Sequence, residues 1–595
     1  MGIEDGLFFN VSVKWGWKVC GFAGIYSPSR PLVADEISIA QRVSVRQAHR
    51  GPDTCGHLIG PNIALFHNKL SITTKNSDSN QPFCWEEIQC AFAGEIYNHN
   101  VLARQLGVVD GLFDGRVIPV GLARMGLSFL GQLEGEFALV IADVNKKEIT
   151  LARDSAGARN LYFSKINNDC WLFSTELSAI TKDTAVSLKP NDWAILGQLL
   201  LQEWTPRLDT YFENIYQVPP GTAVTLGNGT LQVEPYNLDF EGMINRADIL
   251  ASTIKNRLEH SCTINGCLAF SGGLDSTAIA AISSGSLTAM PTFTVISSLE
   301  DPIAKRVLHL AEKMPWLQPN MVLLRNDEIS DDRLTDLTIK LSSPVCDTTP
   351  FALSALFQKA SNLGFRYCLS GEGADDLWDG YLLEAPFLCK DSLILAYQSL
   401  IDRVLENCFI EYSHGRMHKV PLINREVASN FVQYLKNLPD LGNVAKIQSP
   451  LALDRPLTAL SILGPLRRSL EQTDCLAGLY SMEARVPFCS AQLMSLHWRA
   501  EWGEGKQWVY DELPSQIKTG LDWTKTSFAT RHFNDTSLGR NLDILIDEIL
   551  ATKAITSHLD PAVDASILRI LAANNSKLWW SMLGIARFCS VYFKS

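Results

Sequence analysis

The sequence predicts two domains of different class, an α+β domain of layered β-sheets followed by an α/β domain built on a parallel sheet. At 595 residues the chain is longer than one hydrophobic core usually organises, so at least two domains are expected. In the first part, Phe137–Ile141 and Ile149–Ala152 have the pattern of strands. In the second part, apolar runs such as Cys267–Phe270 and Phe293–Ile296 are separated by helical segments. Such alternation predicts a parallel sheet with its ligand at the carboxyl edge.

Composition argues against several functional classes. Hydrophobic residues make up 46% of the chain and charged residues 19%, as in an ordinary globular protein. The formal net charge of -12 disfavours a general nucleic-acid binder, which needs basic residues to neutralise phosphates. No run of about 18 apolar residues exists, so we expect no membrane span. The 14 cysteines are scattered without a Cys-x-x-Cys pair, which indicates reduced thiols in a cytoplasmic protein. The composition does not decide between a monomer and a homodimer.

The stretch of the second domain that carries chemistry is Ser271–Ser276, with the sequence Ser-Gly-Gly-Leu-Asp-Ser. It follows the apolar run Cys267–Phe270 and precedes Thr277–Ile282, which continues with helical character. A strand that turns on two glycines into a helix gathers backbone N–H groups and the positive helix end at one point, which makes an anion site. Asp275 adds a carboxylate able to hold Mg²⁺ beside a phosphate. The lysine and the glycine spacing of a Walker loop are missing.

This hexapeptide resembles the pyrophosphate loop (PP-loop) of ATP pyrophosphatases, which split ATP between its α and β phosphates. The resemblance implies ATP and Mg²⁺ as cofactors. The residues it assigns to ATP are Ser271, Gly272, Gly273, Asp275 and Ser276, with Val295 from the next strand and Ser370 and Gly371 from a second loop.

That second loop is Leu369–Asp376, which again follows a strand, Phe365–Cys368, and again offers glycines and acids. It resembles the SGEGSDE sequence of the asparagine synthetase family. The resemblance implies that Asp375 joins Asp275 on Mg²⁺. It also implies that Glu372 positions or deprotonates the attacking amine.

Two later segments are similar to the same family. Ser481–Phe488 resembles the EARVPF block that packs beside the active site, and Trp523–Phe528 lines up with a segment of the form RxKxxF. The resemblance makes Lys525 the lysine that binds the α-phosphate and stabilises the developing charge. Trp523 replaces its arginine companion, and the nearby Lys518 is a rival for the role.

The first part of the chain carries short motifs in a fixed order. They are Val19–Ile25, Ala48–Asp53, Leu70–Ile72, Ala93–His99, Ala152–Asp154, Leu161–Tyr162 and Phe173–Glu176. In this order they resemble the glutaminase domain of asparagine synthetase, a class II glutamine amidotransferase. The resemblance implies an N-terminal-nucleophile (Ntn) fold with αββα layers, followed by a PP-loop ATP pyrophosphatase domain. β-Lactam synthetase and lasso-peptide macrolactam cyclases are relatives of that family.

The resemblance makes Cys20 the nucleophile, whose thiolate attacks the glutamine amide while its own α-amine handles the proton. Residues 1–19 precede it, and an acylated nitrogen cannot act as a base. We interpret 1–19 as a leader that arises from a misplaced start site. Val19 can be encoded by the bacterial start codon GTG, and Trp15-Gly16 requires a G-rich run just upstream, where a ribosome-binding site would lie.

Two departures from the family pattern predict an impaired glutaminase rather than a working one. Lys69 stands where the family has an arginine that clamps the glutamine carboxylate, and a lysine lacks the bidentate fork. Ala93 replaces the asparagine of an Asn-Gly-Glu sequence, so the N–H of Gly94 remains without its partner donor; such a loss costs about 10²–10³ in rate. Glu95 completes that sequence in the substrate site, and Asp114 is expected to receive the glutamine amine.

These resemblances divide the chain into four parts. We predict a leader at 1–19, a class II glutaminase-like domain at 20–200, a turn-rich connection at 201–250 and a synthetase-like ATP pyrophosphatase domain at 251–595.

The chemistry implied is adenylation of a carboxylate by ATP with release of pyrophosphate, followed by displacement of AMP by an amine. Because the glutaminase is predicted to be impaired, we favour an amine carried by the substrate, with lasso-peptide macrolactam cyclisation as the leading example. The substrate would be a small-molecule or peptide carboxylate, and the partners a precursor peptide and its leader protease. A glutamine-hydrolysing asparagine synthetase is the alternative, and a non-catalytic scaffold homologue is a minor one.

Overall fold

The structure is a computed structural model in which both predicted domains are described. The predicted leader 1–19 and Lys525 lie outside the described residues. The ranges described are 20–51, 53–69, 81–108, 113–143, 145–167, 170–201, 208–227, 231–240, 245–259, 266–285, 289–378, 409–413, 416–421, 424–436, 464–497, 506–519, 521, 535–559, 561, 563–573 and 577–593.

In the described part of the first domain, twelve strands form two six-stranded antiparallel sheets. The strands are β1 Gly21–Tyr26, β2 Thr54–Ile59, β3 Ile63–Lys69, β4 Phe83–Trp85, β5 Ile88–Ile96, β6 Gly135–Asp143, β7 Glu148–Arg153, β8 Tyr162–Lys165, β9 Trp171–Ser174, β10 Ile215–Gln217, β11 Thr222–Leu226 and β12 Leu231–Pro235. The strand order is β10-β8-β9-β1-β3-β2 in one sheet and β12-β11-β7-β6-β5-β4 in the other.

The two sheets stack face to face and helices cover their outer sides. Phe22 and Phe163 of the first sheet pack against Val140 of the second in the core between them. The helices of this domain are α1 Ala34–Arg46, α2 His99–Gln105, α3 Val117–Met125, α4 Leu177–Thr181 and α5 Asp192–Leu201. Helix α1 covers the first sheet, and α2 and α3 cover the second. This arrangement confirms the predicted αββα layering.

The sheets of the first domain extend further along the chain than the sequence suggests. Strands β10, β11 and β12 all come from the segment 201–250 that the sequence predicts as a connection. Strand β11 pairs with β7, and its Val224 and Leu226 fill the core between the sheets. The prolines and glycine at 219–221 therefore form a turn before β11 rather than a linker.

Among the described residues, the second domain is built on a sheet of five strands, and their parallel arrangement confirms the prediction. Its strands are β13 Gly266–Ala269, β14 Met290–Ile296, β15 Leu317–Leu323, β16 Tyr367–Leu369 and, after a hairpin of β17 Phe409–Ser413 and β18 Arg416–Pro421, β19 Glu483–Arg485. The order is β15-β14-β13-β16-β19, so the chain winds outward from β13 and then returns to the other side. The topological switch point, where open α/β sheets bind ligands, lies between β13 and β16.

Helices cover both faces of this sheet. The helices that the structure describes in this domain are α6 Arg246–Glu259, α7 Leu274–Ser283, α8 Pro302–Lys313, α9 Asp331–Leu341, α10 Thr349–Asn362, α11 Ala374–Leu377, α12 Arg425–Lys436, α13 Pro465–Leu479, α14 Ala491–His497, α15 Gln507–Asp511, α16 Ser515–Lys518, α17 Leu542–Ala551, α18 Lys553–Thr556, α19 Ala565–Ala573 and α20 Lys577–Tyr592. Leu268 of β13 packs with α6, α7 and α8, whereas Cys267 of the same strand packs with α9 and α10.

The terminal helix α20 packs into the core through its broad apolar face. Trp579 is fully buried. Phe588 meets Phe212 of the first domain with ring centroids 5.1 Å apart, and Gln198 Nε2 donates to Ser581 Oγ at 3.0 Å. The last helix of the second domain therefore joins it to the first.

No helix within the described residues combines the length and the hydrophobicity that crossing a membrane requires. None of the cysteines in the described ranges forms a disulfide.

Candidate active site

The two predicted loops meet at the switch point of the parallel sheet. Strand β13 leads into Ser271–Ser276, and its neighbour β16 leads into the loop that begins at Ser370. A Cβ built on Gly371 would lie 3.0 Å from Cβ of Asp275 and 3.4 Å from the backbone nitrogen of Ser276. The lack of a side chain at position 371 therefore lets the two loops approach closely.

The first loop has the geometry of an anion-binding cradle. Gly272 has a φ of +70°, a conformation that other residues rarely adopt. Helix α7 begins two residues later at Leu274 and directs its positive end toward the loop. Arg306 Nη2 donates to the carbonyl of Ser271 at 2.9 Å, which fixes the start of the loop. The Ser276 hydroxyl lies 3.3 Å from that of Ser271.

The structure brings the two predicted metal ligands to one cation. Lys506 Nζ lies 3.0 Å from Asp275 Oδ2 and 2.5 Å from Asp375 Oδ1. Burial lowers the pKa of the Lys506 ammonium, but the two carboxylates outweigh burial and raise that pKa above its usual value. The lysine is therefore charged and bridges the two acids.

The residues at this point fit Mg²⁺. Asp275 and Asp375 supply carboxylate oxygens, the ligands that Mg²⁺ prefers, and both carboxylates already contact a single positive charge. Mg²⁺ in proteins is usually bound by one or two carboxylates together with waters and substrate phosphates. Two aspartates beside an anion cradle match that pattern.

Glu372 lies on the second loop and is held by helix α13. Thr473 Oγ1 donates to Glu372 Oε1 at 2.7 Å, and Ser469 Oγ donates to the same oxygen at 3.3 Å. Burial raises the pKa of Glu372 to about 7; the two hydroxyls oppose the rise and the charge of Asp376 adds to it. A carboxyl group that titrates near neutrality can act as a general base.

The remaining predicted ATP-site residues lie in the second loop and in the sheet. Ser370 donates its N–H to the carbonyl of Arg485 at 2.9 Å, and its hydroxyl accepts the N–H of Glu372 at 3.3 Å. Val295 lies in β14, and its side chain packs in the core. It therefore supports the sheet from which the loops emerge.

The lysine that reaches these loops is not one that the sequence singles out. Lys525, predicted to bind the α-phosphate, lies outside the described residues. Its rival Lys518 donates to the carbonyl of Asp511 at 2.9 Å and lies 5.2 Å from the ring centroid of Tyr510. Lys506, immediately before α15, contacts the aspartates instead. No motif marks this residue, so residue patterns alone do not reveal it.

In the first domain, Cys20 and Lys69 are neighbours across two strands. Cys20 precedes β1, Lys69 ends β3, and the strand register sets Gly21 opposite Asn68. Lys69 is buried, with 6% of its surface exposed. Burial lowers the pKa of Lys69, whereas the charges of Cys20 and Asp53 oppose the fall. The predicted nucleophile thus lies beside a desolvated ammonium group.

Gly94 and Asp114 lie together at the end of β5. Gly94 has a φ of +126°, and a Cβ there would be 1.8 Å from the carbonyl oxygen of Glu136, so a side chain does not fit. Asp114 Oδ2 accepts the N–H of Ile96 at 2.9 Å. Ala93 is buried in the core between the sheets and offers no hydrogen-bond donor in its side chain.

Buried charges connect this site to the second domain. Glu95 Oε1 lies 3.8 Å from Nη2 of Arg485, whose carbonyl accepts the N–H of Ser370 in the second loop. Arg50 Nε donates to the carbonyl of Cys20 at 3.4 Å, and its Nη2 donates to Asp474 in α13, the helix that also holds Glu372.

A second part of the interface centres on Glu136 of β6. Its carboxylate accepts Arg257 Nε at 2.8 Å, Arg159 Nη2 at 3.1 Å and the N–H of Val486 at 3.1 Å. Each of the three charged side chains is at most 2% exposed. The two domains are therefore joined by paired, desolvated charges and not by apolar contacts alone.

Comparison with known proteins assigns both halves. Residues 19–237 match the family described as glutamine amidotransferase domain, and residues 246–505 match the family described as asparagine synthase. The sheet sandwich coincides with the first match, and the parallel sheet with its two loops coincides with the second.

Curated relatives cover a smaller part of the chain. Amidase chyE of Penicillium rubens is 27% identical over 370 residues, which are 56% of this chain and 53% of that protein. Asparagine synthetase [glutamine-hydrolyzing] 1 of Bacillus subtilis is 25% identical over 382 residues, 61% and 59% of the two chains. The asparagine synthetase of Asparagus officinalis is 26% identical over 392 residues, 61% and 60%.

The chain thus spans between 53% and 60% of the length of these relatives. This chain carries the two matched domains in the order glutamine amidotransferase domain, then asparagine synthase. On this evidence the chain belongs to the asparagine synthetase family.

Proposed function

We propose that the protein is an ATP-dependent amide synthetase, a ligase that adenylates a carboxylate, releases pyrophosphate and joins the acyl group to an amine. The observation that carries this proposal is that Asp275 and Asp375 both contact the Lys506 ammonium at the switch point, where the two glycine loops meet. A site of this kind suits a triphosphate with its metal ion.

The side chains divide the work. The loops that begin at Ser271 and Ser370 would hold the nucleotide through backbone N–H groups, and Asp275 and Asp375 would hold Mg²⁺. When bound, Mg²⁺ neutralises phosphate charge and so favours the departure of pyrophosphate. Glu372 accepts a proton from the amine as its nitrogen attacks the acyl carbon and AMP leaves, which its pKa of about 7 permits.

The experiment is to follow ATP by ³¹P NMR with candidate carboxylates, starting with aspartate and with a peptide that carries an acidic side chain and a free α-amine. We expect AMP and pyrophosphate in equal amounts, and an amide product. Formation of ADP and phosphate, or no nucleotide turnover with any carboxylate, would contradict the proposal and favour the scaffold alternative.

For the source of nitrogen we favour an amine that belongs to the substrate, as in lasso-peptide macrolactam cyclisation of a precursor peptide. Two features support this choice. Lys69 provides a single point charge where the family pattern has a guanidinium, and Ala93 provides no oxyanion donor. We expect each change to weaken glutamine binding or hydrolysis in the first domain.

Glutamine-dependent asparagine synthesis is the second candidate. Three observations support it: Cys20 directly precedes β1, Gly94 has no room for a side chain, and Asp114 accepts the N–H of Ile96. Cys20→Ala separates the two. We expect this variant to form the amide from a substrate amine at the wild-type rate. If it abolishes the physiological reaction, and the wild type converts glutamine to glutamate, asparagine synthesis is the correct function.

A further inference from the structure

Lys506 joins the two aspartates although it belongs to neither loop. Its Nζ lies 3.0 Å from Asp275 Oδ2 and 2.5 Å from Asp375 Oδ1, and the three side chains keep 15%, 19% and 23% of their surface exposed. Carboxylates that share a site repel each other, so the ammonium stabilises their approach. Water still reaches all three groups, and ions can therefore exchange with bulk solvent.

The backbone that carries Lys506 is anchored to the element that carries Asp375. Trp508 of α15 meets Trp378 edge to face, with ring centroids 4.9 Å apart, and Trp378 directly follows α11, which includes Asp375. Trp378 is 3% exposed, so this contact is packed. A lysine is a point charge on a flexible four-carbon stem. The ammonium can therefore change position by rotation of its own side chain while α15 stays in place.

The ammonium and a metal ion compete for the same two carboxylates. Lys506 occupies one oxygen of each carboxylate at hydrogen-bond distance. A divalent cation on these oxygens would lie next to a like charge, which disfavours its binding unless the lysine turns away. Nucleotide phosphates offer the lysine another anionic partner, and they also complete the coordination of Mg²⁺.

We propose that Lys506 makes metal binding depend on nucleotide. The ammonium holds the Asp275–Asp375 pair against free divalent cations and moves to the phosphate chain when Mg²⁺ enters together with ATP. Lys506 is then both the gate that sets the order of binding and a phosphate ligand in the loaded site. This inference rests on the proposed function, because it takes ATP as the ligand of the two loops.

The test is a titration of the full chain with Mn²⁺, read by the loss of the free-ion EPR signal, first alone and then with a non-hydrolysable ATP analogue. We expect weak Mn²⁺ binding by the wild type alone, and binding at least about tenfold tighter by Lys506→Met, which removes the competing charge. With the analogue present, we expect Lys506→Met to bind nucleotide at least about tenfold more weakly than the wild type.

Matched variants define the site. Lys506→Arg keeps the charge and should exclude free Mn²⁺ as the wild type does. Lys340→Met, which removes a lysine that pairs with Asp336 on an exposed helix surface, should not alter the titration. Asp275→Asn added to Lys506→Met should remove the gained Mn²⁺ site. Should Lys506→Met fail to fold, Lys506→Gln takes its place in the same titration.

The proposal would be overturned if Lys506→Met bound Mn²⁺ no more tightly than the wild type does. The titration uses neither a carboxylate substrate nor turnover. If the protein never forms AMP, the proposed function is refuted, and the Mn²⁺ titration still tests the role of Lys506. If the Mn²⁺ titration contradicts that role, the formation of AMP still tests the proposed function.

Discussion

Arg50 and Asp474 lie 424 positions apart in the sequence and form an ion pair across the domain interface, with Arg50 Nη2 at 2.9 and 3.0 Å from the two carboxylate oxygens. The two side chains are 1% and 2% exposed. Arg50 also contacts the carbonyl of Cys20, and α13 extends from Asp474 to the hydroxyls that hold Glu372. The pair therefore links the backbone at Cys20 in the first domain to the helix that holds Glu372 in the second.

We expect Asp474→Asn to destabilise the protein by about 3–5 kcal/mol, because it leaves the buried guanidinium without its carboxylate. Denaturant unfolding followed by fluorescence measures the loss. Asp336→Asn is the control, since Asp336 pairs with Lys340 at 2.8 Å on an exposed helix surface, and its removal should cost under about 1 kcal/mol. Equal stability of the two variants would show that the interface pair contributes nothing specific.

The pH dependence of amide formation should follow Glu372. Its pKa is raised to about 7, and the base must be ionised to accept a proton, so the rate should rise with pH through about 7 and then level off. The Thr473 hydroxyl stabilises the ionised form, so Thr473→Val should raise the pKa further and move the midpoint to higher pH. A pH–rate profile of each variant measures this.

The control for that profile is Thr519→Val. The Thr519 hydroxyl donates to the Ser515 carbonyl at an exposed helix end, away from Glu372. It should leave the midpoint unchanged. A midpoint that Thr473→Val does not move, or moves to lower pH, would remove Glu372 from the role of base.

Gly371→Ala should weaken nucleotide binding without unfolding the protein. The new methyl group would lie 3.0 Å from Cβ of Asp275 and 3.4 Å from the nitrogen of Ser276, so the two loops must move apart by a few tenths of an ångström. We expect at least about a tenfold loss in affinity for Mg²⁺ and ATP, measured by calorimetry. Gly60→Ala, where the new Cβ would meet only ordinary contacts at 3.5 and 3.8 Å, is the control. Equal affinities would contradict the close approach of the loops.

The sequence located both loops because their function requires residue types at fixed spacing. Glycines at the end of an apolar run, followed by an acid and a helix, are local features that mark each loop. The pairing of Asp375 with Asp275, in contrast, rests on the resemblance to the asparagine synthetase family. Strand order was predictable only as far as the alternation of strands and helices implies a parallel sheet. The crossing from β15 to β16, which makes the switch point, follows from packing on both faces.

Long-range charge pairing escaped prediction for a physical reason. Arg50, Glu136 and Arg257 have the polarity of surface residues, and nothing in the spacing of charges along the chain shows which of them become partners after burial. Lys506 was missed in the same way, since a single lysine outside any motif gains its meaning only from the two carboxylates it meets. The sequence does not predict strands β10 to β12, because Pro-Pro-Gly between two short apolar segments suggests a linker. Only the pairing of these segments with other strands shows that they belong to the sheets.

The most direct test of the account is calorimetric binding of a non-hydrolysable ATP analogue with Mg²⁺ to the wild type, Asp275→Asn and Asp375→Asn. The control is Asp511→Asn, because the Asp511 carboxylate is exposed on α15 and accepts a hydrogen bond from Gln507. We predict that each of the two loop variants loses at least about tenfold in affinity, since each removes a charged ligand, whereas the control binds as the wild type does. Wild-type affinity in both loop variants would contradict a nucleotide site between Ser271–Ser276 and the Ser370 loop.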